Sequence, residues 1–71
     1  MPLTFAPLNV EHKIVEIKGR DKTISHLESM GFVKDAVVTV ISELSGNLII
    51  KLHEGRIALD KGLASKIIVG D

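Results

Sequence analysis

The stretch HLESMGFVKDAVVTVI, residues 26–41, decides the fold, because a helical pattern gives way to a strand pattern inside it. Ile24, Leu27 and Met30 recur at every third residue, which predicts one apolar stripe along a helix of about three turns. Gly31 follows, at a place where helices commonly end on a left-handed residue. The residues after Asp35 are rich in valine, and β-branched side chains favour strands. We therefore predict a helix that stops at Gly31 and a strand that follows it closely.

Both ends of this helix carry residues that are typical of helix termini. Asp21 is the predicted N-cap, because its side chain accepts hydrogen bonds from the free N–H groups of a first turn. At the other end, Phe32 is expected to fold back onto Leu27 or Ile24, the hydrophobic contact that accompanies such an ending. Leu27, Met30 and Phe32 are therefore expected to close the helix over the rest of the fold.

The region after residue 37 is predicted to form a hairpin whose register follows from parity. Apolar residues occupy even-numbered positions in both arms: Val38, Val40, Leu44, Leu48, Ile50 and Leu52. These residues share one face of an antiparallel pair only if the loop holds an odd number of residues. We therefore predict the three-residue loop Ser45–Asn47, with Leu44 opposite Leu48, rather than a two-residue loop at Gly46–Asn47.

A third arm continues this pattern. A two-residue loop at Glu54–Gly55 places Leu52 opposite Ile57 and keeps one apolar face. Asp60 is then predicted to open a short turn before a last strand at residues 67–69, and a first strand is predicted at residues 10–18. Five short strands and one helix, joined by connections too short for βαβ crossovers, predict a mostly β fold, a small antiparallel barrel.

The opposite face of these strands is more apolar than solvation requires. In the predicted register it carries Val37, Ile41 and Ile49 beside polar residues. One interpretation is that the N-terminal segment or the helix covers these three side chains. The other is that they form a docking surface, since contiguous exposed apolar area usually marks an interaction site. The sequence supports both interpretations.

Composition narrows the class of protein. With 45% apolar and 25% charged residues, the 71-residue chain is too hydrophobic for a disordered tail and fits one small domain, residues 1–71. Nine Lys and Arg balance nine Asp and Glu, which argues against nucleic-acid binding. The absence of cysteine excludes disulfides and thiolate–zinc sites. With no signal-peptide pattern and no long apolar run, we expect a cytoplasmic protein without direct membrane insertion.

No residue pattern predicts a catalytic, cofactor or metal site. His12, His26 and His53 form neither an H-x3-H nor an H-E-x-x-H pair, so we interpret them as surface histidines. The serines lack a G-x-S-x-G context, and the isolated glycines form no phosphate-binding loop. Phe5 and Phe32 are the only aromatic residues, which disfavours grooves for Pro-rich peptides and stacking on nucleic-acid bases. Binding through aliphatic contacts and hydrogen bonds is therefore the expected chemistry.

Several segments, taken in order, resemble one known family. They are MPLTFAPL, KIVEIKG, HLESMGFVKDAVVTVIS, GNLIIKL and RIALDKGLASKIIV, and they span nearly the whole chain. In this order and spacing they resemble the FeoA family, small cytosolic proteins of bacterial ferrous iron transport. The resemblance implies an SH3-like barrel with a helix inserted after the first strand. It also implies a non-catalytic accessory or regulatory role, exerted by binding the cytosolic G-domain or the membrane part of the ferrous iron transporter FeoB.

The candidate partner-binding residues combine the helix end with the outer strand face. They are Leu27, Met30, Gly31, Phe32, Val37, Ile41 and Ile49. The first four lie in the segment that resembles the FeoA family most clearly. The other three supply the apolar outer surface.

Two departures from the family pattern concern turns. Asn9 stands where the family often has glycine, and Lys34-Asp35 stands where it often has Pro-Gly. Asn and Asp are the non-glycine residues that best tolerate left-handed backbone, so both turns are expected to be kept. An alternative function is a stand-alone SH3-like module that senses a metal or ligand, related to the C-terminal domain of metal-dependent repressors.

Overall fold

The computed structural model describes residues 1–70, which contain five strands, two helices and one 3₁₀ turn. In chain order these are the 3₁₀ turn Leu3–Phe5, β1 Glu11–Ile17, α1 Asp21–Ser29, β2 Val37–Leu44, β3 Asn47–Leu52, β4 Gly55–Asp60, α2 Lys61–Ala64 and β5 Ile67–Val69. Asp71, the last residue of the predicted domain, lies outside the described residues. No helix within residues 1–70 is long and apolar enough to span a bilayer.

The five strands form one antiparallel sheet in the order β4–β3–β2–β1–β5. The mostly β class and the helix inserted after the first strand are therefore confirmed. The turn predicted after Asp60 is the single-turn helix α2. Strands β4 and β5 are the two edges of the sheet and lie at its opposite ends. Helix α2 packs on β3, β4 and the 3₁₀ turn, and that turn packs on β5, so short segments bridge the two edges.

One hydrophobic core unites the sheet with both helices. Its buried side chains are Leu3, Ile14, Leu27, Phe32, Val38, Val40, Leu48, Ile50, Leu52, Leu59, Ala64, Ile67 and Val69. All the even-numbered apolar residues predicted for the inner face belong to it, with the exception of Leu44. Each large aliphatic side chain removed from water contributes about 1.5–3 kcal/mol, so this cluster is the main source of stability.

The C-terminal end of α1 is closed as predicted. Gly31 has a φ of 101°, and its N–H donates to the carbonyl oxygen of Glu28 at 2.9 Å. The N–H of Phe32 donates to the carbonyl oxygen of Leu27 at 3.0 Å. This pair of hydrogen bonds is the Schellman motif, which satisfies carbonyl groups that the helix leaves free. Leu27 and Phe32 are both fully buried, so the predicted hydrophobic closure is confirmed.

The start of α1 differs from the prediction by one residue. Arg20, rather than Asp21, occupies the N-cap position, and it makes no side-chain capping hydrogen bond. Gly19, with a φ of 121°, turns the chain out of β1, so the helix begins directly after Arg20. Asp21 is the first helical residue, where its negative charge still interacts favourably with the positive end of the helix dipole.

The loop between β2 and β3 is shorter than predicted. It consists of Ser45–Gly46, with Leu44 opposite Asn47, so the predicted three-residue loop Ser45–Asn47 is wrong. Both loop residues have positive φ, 51° at the serine and 81° at the glycine. Two such residues are typical of a type I′ turn, whose twist matches that of the flanking strands.

A β-bulge in β2 accounts for the shorter loop. Val40 lies opposite Ile50, whereas Glu43 lies opposite Leu48, so β2 contains one more residue than β3 between these pairs. The register shifts at Ile41, which has no opposite residue. The extra residue that parity requires therefore lies within the strand rather than in the loop. As a result, the residues beyond the bulge exchange faces.

The loop between β3 and β4 also differs from the prediction. It is His53–Glu54, one residue earlier than the predicted Glu54–Gly55. His53 supplies a left-handed residue, with a φ of 56°. Ile57 consequently lies opposite Ile50 instead of Leu52. Because the pairing moves by an even number of residues, the apolar face is kept.

Both turns that depart from the family pattern are retained. Asn9 and Asp35 have φ values of 63° and 74°, so each adopts the left-handed conformation expected of it. The N–H of Asn9 donates to the carbonyl oxygen of Val40 at 2.7 Å, and that of Asp35 donates to Ile14 at 2.8 Å. These hydrogen bonds to strands β2 and β1 hold the two turns in place.

Candidate protein-binding surface

The histidines are dispersed over the structure. His26 and His53 are exposed, whereas His12 is only 9% exposed, so its interpretation as a surface residue is wrong. Its Nδ1 lies 3.1 Å from the carbonyl oxygen of Val10, and it shares the inner side of β1 with Ile14. Residues 1–70 contain no cluster of three His, Asp or Glu side chains suited to a metal ion, and no pocket.

The helix-end residues chosen from the sequence are mainly structural. Leu27 and Phe32 are fully buried, so their side chains have no surface for a partner to touch. Met30 and Gly31 are half-buried, and Met30 packs against the core. The selection of Leu27 and Phe32 as binding residues is therefore corrected: the same hydrophobicity that suggested an interaction holds α1 on the sheet.

The three outer-strand residues do not form one continuous group. A polar row crosses four strands between them, formed by Glu11, Thr39, Lys51 and Arg56. Val37 lies on one side of this row, opposite Lys13, and is 45% exposed. Ile41 and the neighbouring Ile49 lie on the other side, and both are half-buried. The structure therefore brings Ile41 and Ile49 together and separates Val37 from them.

Leu44 joins this group, although the sequence placed it on the inner face. It is 66% exposed, because the bulge puts it on the same side of the sheet as Ser42 and Ile49. Glu43 leaves the outer face for the same reason. We call the surface formed by Ile41, Leu44 and Ile49 the hairpin patch. Regular alternation could not reveal Leu44 as a surface residue, since parity arguments assume a strand without a bulge.

Contacts with α2 hold the end of this hairpin. The N–H of Lys61 donates to the carbonyl oxygen of Gly46 at 3.1 Å. The Lys61 Nζ also lies 2.6 Å from Oε1 of Glu43, with both side chains about half exposed. An ion pair this exposed contributes only about 0–1 kcal/mol. Helix α2 is itself capped by Asp60, whose Oδ1 accepts a hydrogen bond from the Leu63 N–H at 2.9 Å. The hairpin patch therefore lies on two strands whose connecting turn is held by α2.

The N-terminal segment leaves the Leu44 part of the hairpin patch exposed. Leu3 belongs to the core, and its 3₁₀ turn packs on α2 and β5. The hydrogen bond from Asn9 to Val40 places the end of the segment beside the bulge. Leu44 nevertheless stays exposed, and Phe5, at 74%, is more exposed still. Among the described residues, Leu44 therefore offers apolar surface to a partner, whereas the half-buried Ile41 and Ile49 are partly covered by the fold itself.

Comparison with known proteins identifies close structural relatives. A model of the FeoA domain matches residues 1–70. The crystal structure of an iron uptake regulatory protein, FeoA, is 28% identical, covering 97% of this chain and 93% of that chain with a TM-score of 0.88. A zinc complex of FeoA from Stenotrophomonas maltophilia, described as a prokaryotic SH3 domain protein, is 22% identical, covering 99% and 89% of the two chains with a TM-score of 0.85. Comparison with curated proteins gave no match.

The same fold occurs in a regulator of transcription. A manganese-dependent transcriptional repressor in complex with manganese is 18% identical, with a TM-score of 0.88. The likeness covers 99% of this chain but 35% of the repressor, and at this identity it shows the fold alone. Together with the strand order, these relatives confirm the predicted SH3-like fold.

Proposed function

Because the chain belongs to the FeoA family, we propose that it is a cytosolic, non-catalytic accessory protein of bacterial ferrous iron transport that binds the cytosolic part of the transporter FeoB. The relative from Stenotrophomonas maltophilia is described as a candidate activating factor for bacterial ferrous iron transport. The proposal extends that role to this chain and adds a partner and a mode of action, which is protein–protein contact.

The observation that carries the proposal is the hairpin patch. Leu44 is two-thirds exposed on a face that also carries Ile41 and Ile49, and complete burial of such a side chain contributes about 1.5–3 kcal/mol. The patch lies on hydrogen-bonded strands whose turn is held by α2, so binding requires little additional ordering. Val37 and the half-buried Met30 and Gly31 are proposed as further contacts.

The test is a titration of the isotope-labelled chain with the purified cytosolic G-domain of FeoB from the same organism. We expect amide resonances of the hairpin patch to shift on binding. Leu44→Ser should weaken binding about tenfold, which corresponds to about 1.4 kcal/mol. Val15→Ser is the matched control, since Val15 is also an exposed aliphatic residue on a strand, but on β1. It should bind like the parent chain.

Two outcomes would count against the proposal. If the G-domain gives no shifts, the titration is repeated with full-length FeoB in nanodiscs, and absence of binding there rejects FeoB as the partner. If binding occurs but Val15→Ser weakens it as much as Leu44→Ser does, the hairpin patch is not the docking surface.

The second candidate function is a module that senses a metal or ligand, and the fold of the manganese-dependent repressor favours it. The three histidines lie on different elements, with His12 on β1, His26 on α1 and His53 in a loop. Titration with Fe(II) or Zn(II) separates the two functions. A joint shift of two or more histidine resonances at micromolar metal would support sensing, and we expect no such shift.

A further inference from the structure

The two edges of the sheet differ in how they are protected. The edge of β5 is closed by the start of the chain, because Pro2 bridges to Ile68 and the N–H of Val69 donates to the carbonyl oxygen of Met1 at 2.8 Å. The terminal amino group of Met1 donates back to the Val69 carbonyl oxygen at 2.8 Å. On its outer side, β4 pairs with no strand of residues 1–70. One edge is therefore covered and the other is free.

The free backbone groups of β4 are identified by the ladder that it forms with β3. Just beyond the ladder, the N–H of Lys61 donates to the carbonyl oxygen of Gly46, and these two residues continue the register of the β3–β4 pairs. Backbone hydrogen bonding alternates along an antiparallel strand, so Leu59, Ile57 and Gly55 bond toward β3. The outward-directed N–H and C=O groups therefore belong to Arg56, Ala58 and Asp60. The backbone groups of Arg56 and Ala58 make no hydrogen bond to a loop or turn of residues 1–70. The carbonyl oxygen of Asp60, the N-cap of α2, accepts the first hydrogen bond of that helix and keeps a second lone pair for another donor.

Strand β4 lacks the usual obstacles to edge pairing. Its register with β3 runs without interruption from the pair Leu52–Gly55 to the pair Asn47–Asp60, whereas the β1–β5 and β2–β3 ladders each contain an irregularity. The strand contains no proline and no lysine. Edge strands are normally protected by a bulge, a proline, lysines or a covering segment. Its only charged side chains are Arg56 and Asp60.

We propose that β4 pairs antiparallel with β4 of a second copy of this chain, joining two five-stranded sheets into one across a twofold axis at Ala58. In this register the outward-directed residues of one strand meet those of the other. Arg56 lies opposite the partner's Asp60, and Asp60 lies opposite the partner's Arg56. A twofold axis makes such an interface self-complementary, so each charge is paired with its opposite.

Charge selects this register over its neighbours. Outward-directed residues meet one another only if the two strands slide by an even number of residues. Sliding by two residues places Arg56 opposite the partner's Ala58 and removes both ion pairs. If the strands slide by a further two residues, Arg56 lies opposite the partner's Arg56. Like charges directly opposite each other are destabilising. On the inner face, the twofold register sets half-buried Ile57 opposite the partner's Leu59, so no charged residue lies opposite an apolar one there.

A cysteine at the axis tests the register directly. The chain has no cysteine, so Ala58→Cys introduces a single thiol. Hydrogen-bonded antiparallel pairs have Cα atoms about 5.5 Å apart, within the range of about 4.4–6.8 Å that disulfides span. Lys51→Cys is the matched control, because Lys51 is exposed on the same face one strand further from the axis. Ala58→Cys should form the disulfide-linked dimer at least about tenfold faster, since proximity raises the effective thiol concentration. Equal rates would overturn the proposal.

Sedimentation velocity over a concentration series tests the dimer without a disulfide. Arg56→Glu sets a carboxylate against the partner's Asp60 and should raise the dimer dissociation constant at least about tenfold. Lys13→Glu makes the same charge change on β1 and should have little effect. Ala58→Pro removes only an outward N–H, so it should abolish dimers while circular dichroism shows a folded chain. A parent chain that stays monomeric at every concentration, or an Arg56→Glu chain that dimerises normally, would refute the interface.

Discussion

The end of α1 and the end of the β2–β3 hairpin use a similar backbone device for different purposes. Each reverses the chain at a left-handed glycine, Gly31 with a φ of 101° and Gly46 with a φ of 81°. A Cβ atom on Gly31 would lie 3.0 Å from Cδ2 of Leu52, whereas one on Gly46 would meet no atom within 4 Å. The first turn is packed into the core and the second faces solvent. Packing, rather than backbone conformation, therefore separates the structural turn from the one free to bind.

The largest expected difference between the two ends concerns their apolar side chains. Phe32→Ala should destabilise the fold by about 3–5 kcal/mol, because it leaves a cavity where a fully buried aromatic ring was removed. Leu44→Ala should change the free energy of unfolding by no more than about 0.5 kcal/mol, since its side chain is largely in water. Urea denaturation of both variants measures the contrast. Similar losses at the two positions would show that Leu44 is a core residue and that the comparison fails.

The glycines give a smaller and more specific contrast. Gly31→Ala should cost about 2 kcal/mol, since a left-handed alanine is strained by about 1–2 kcal/mol and its Cβ also presses on Leu52. Gly46→Ala carries the backbone strain without the close contact, so it should destabilise the fold by about 1 kcal/mol. The difference in unfolding free energy follows from the denaturation midpoints, provided that both variants have the same dependence of that free energy on denaturant concentration. An equal or larger cost at Gly46 would place the tighter packing at the hairpin.

The smallest expected effect concerns the ion pair that links the hairpin to α2. Glu43→Gln should lower the free energy of unfolding by no more than about 0.5 kcal/mol, because the pair with Lys61 is exposed and screened by solvent. Thermal denaturation at low and high salt measures it, and the difference from the parent chain should shrink as salt rises. A loss above about 2 kcal/mol would mean that the hairpin depends on this contact rather than on its strand pairing.

The helix end could be predicted because its signals are local. The Schellman motif spans the six consecutive residues from Leu27 to Phe32, and the glycine in its fifth position predicts the left-handed turn. Asn9 and Asp35 were predictable for the same reason, as side chains that tolerate positive φ. The missed N-cap is a local error of one residue at a boundary, where helix ends are least well defined.

The candidate surface was less predictable. Ile41 and Ile49 were correctly placed outside the core, although both are half-buried, but Leu27 and Phe32 were offered as binding residues and are fully buried. Hydrophobicity alone does not distinguish a side chain that fills the core from one that is exposed and binds a partner. Leu44 was missed because its exposure depends on a bulge three residues earlier in the same strand.

By itself the sequence determined the mostly β class, the position of α1, the glycine turn at its end and the alternation that builds the inner face. These features depend on residue propensities and on spacings of a few residues, which are readable along the chain. Only the tertiary structure decided the register of both hairpins, the exposure of Leu44 and the free edge of β4. Each of these depends on which strands meet and on where the extra residue is accommodated, and a bulge at Ile41 satisfies the same apolar pattern as a longer loop.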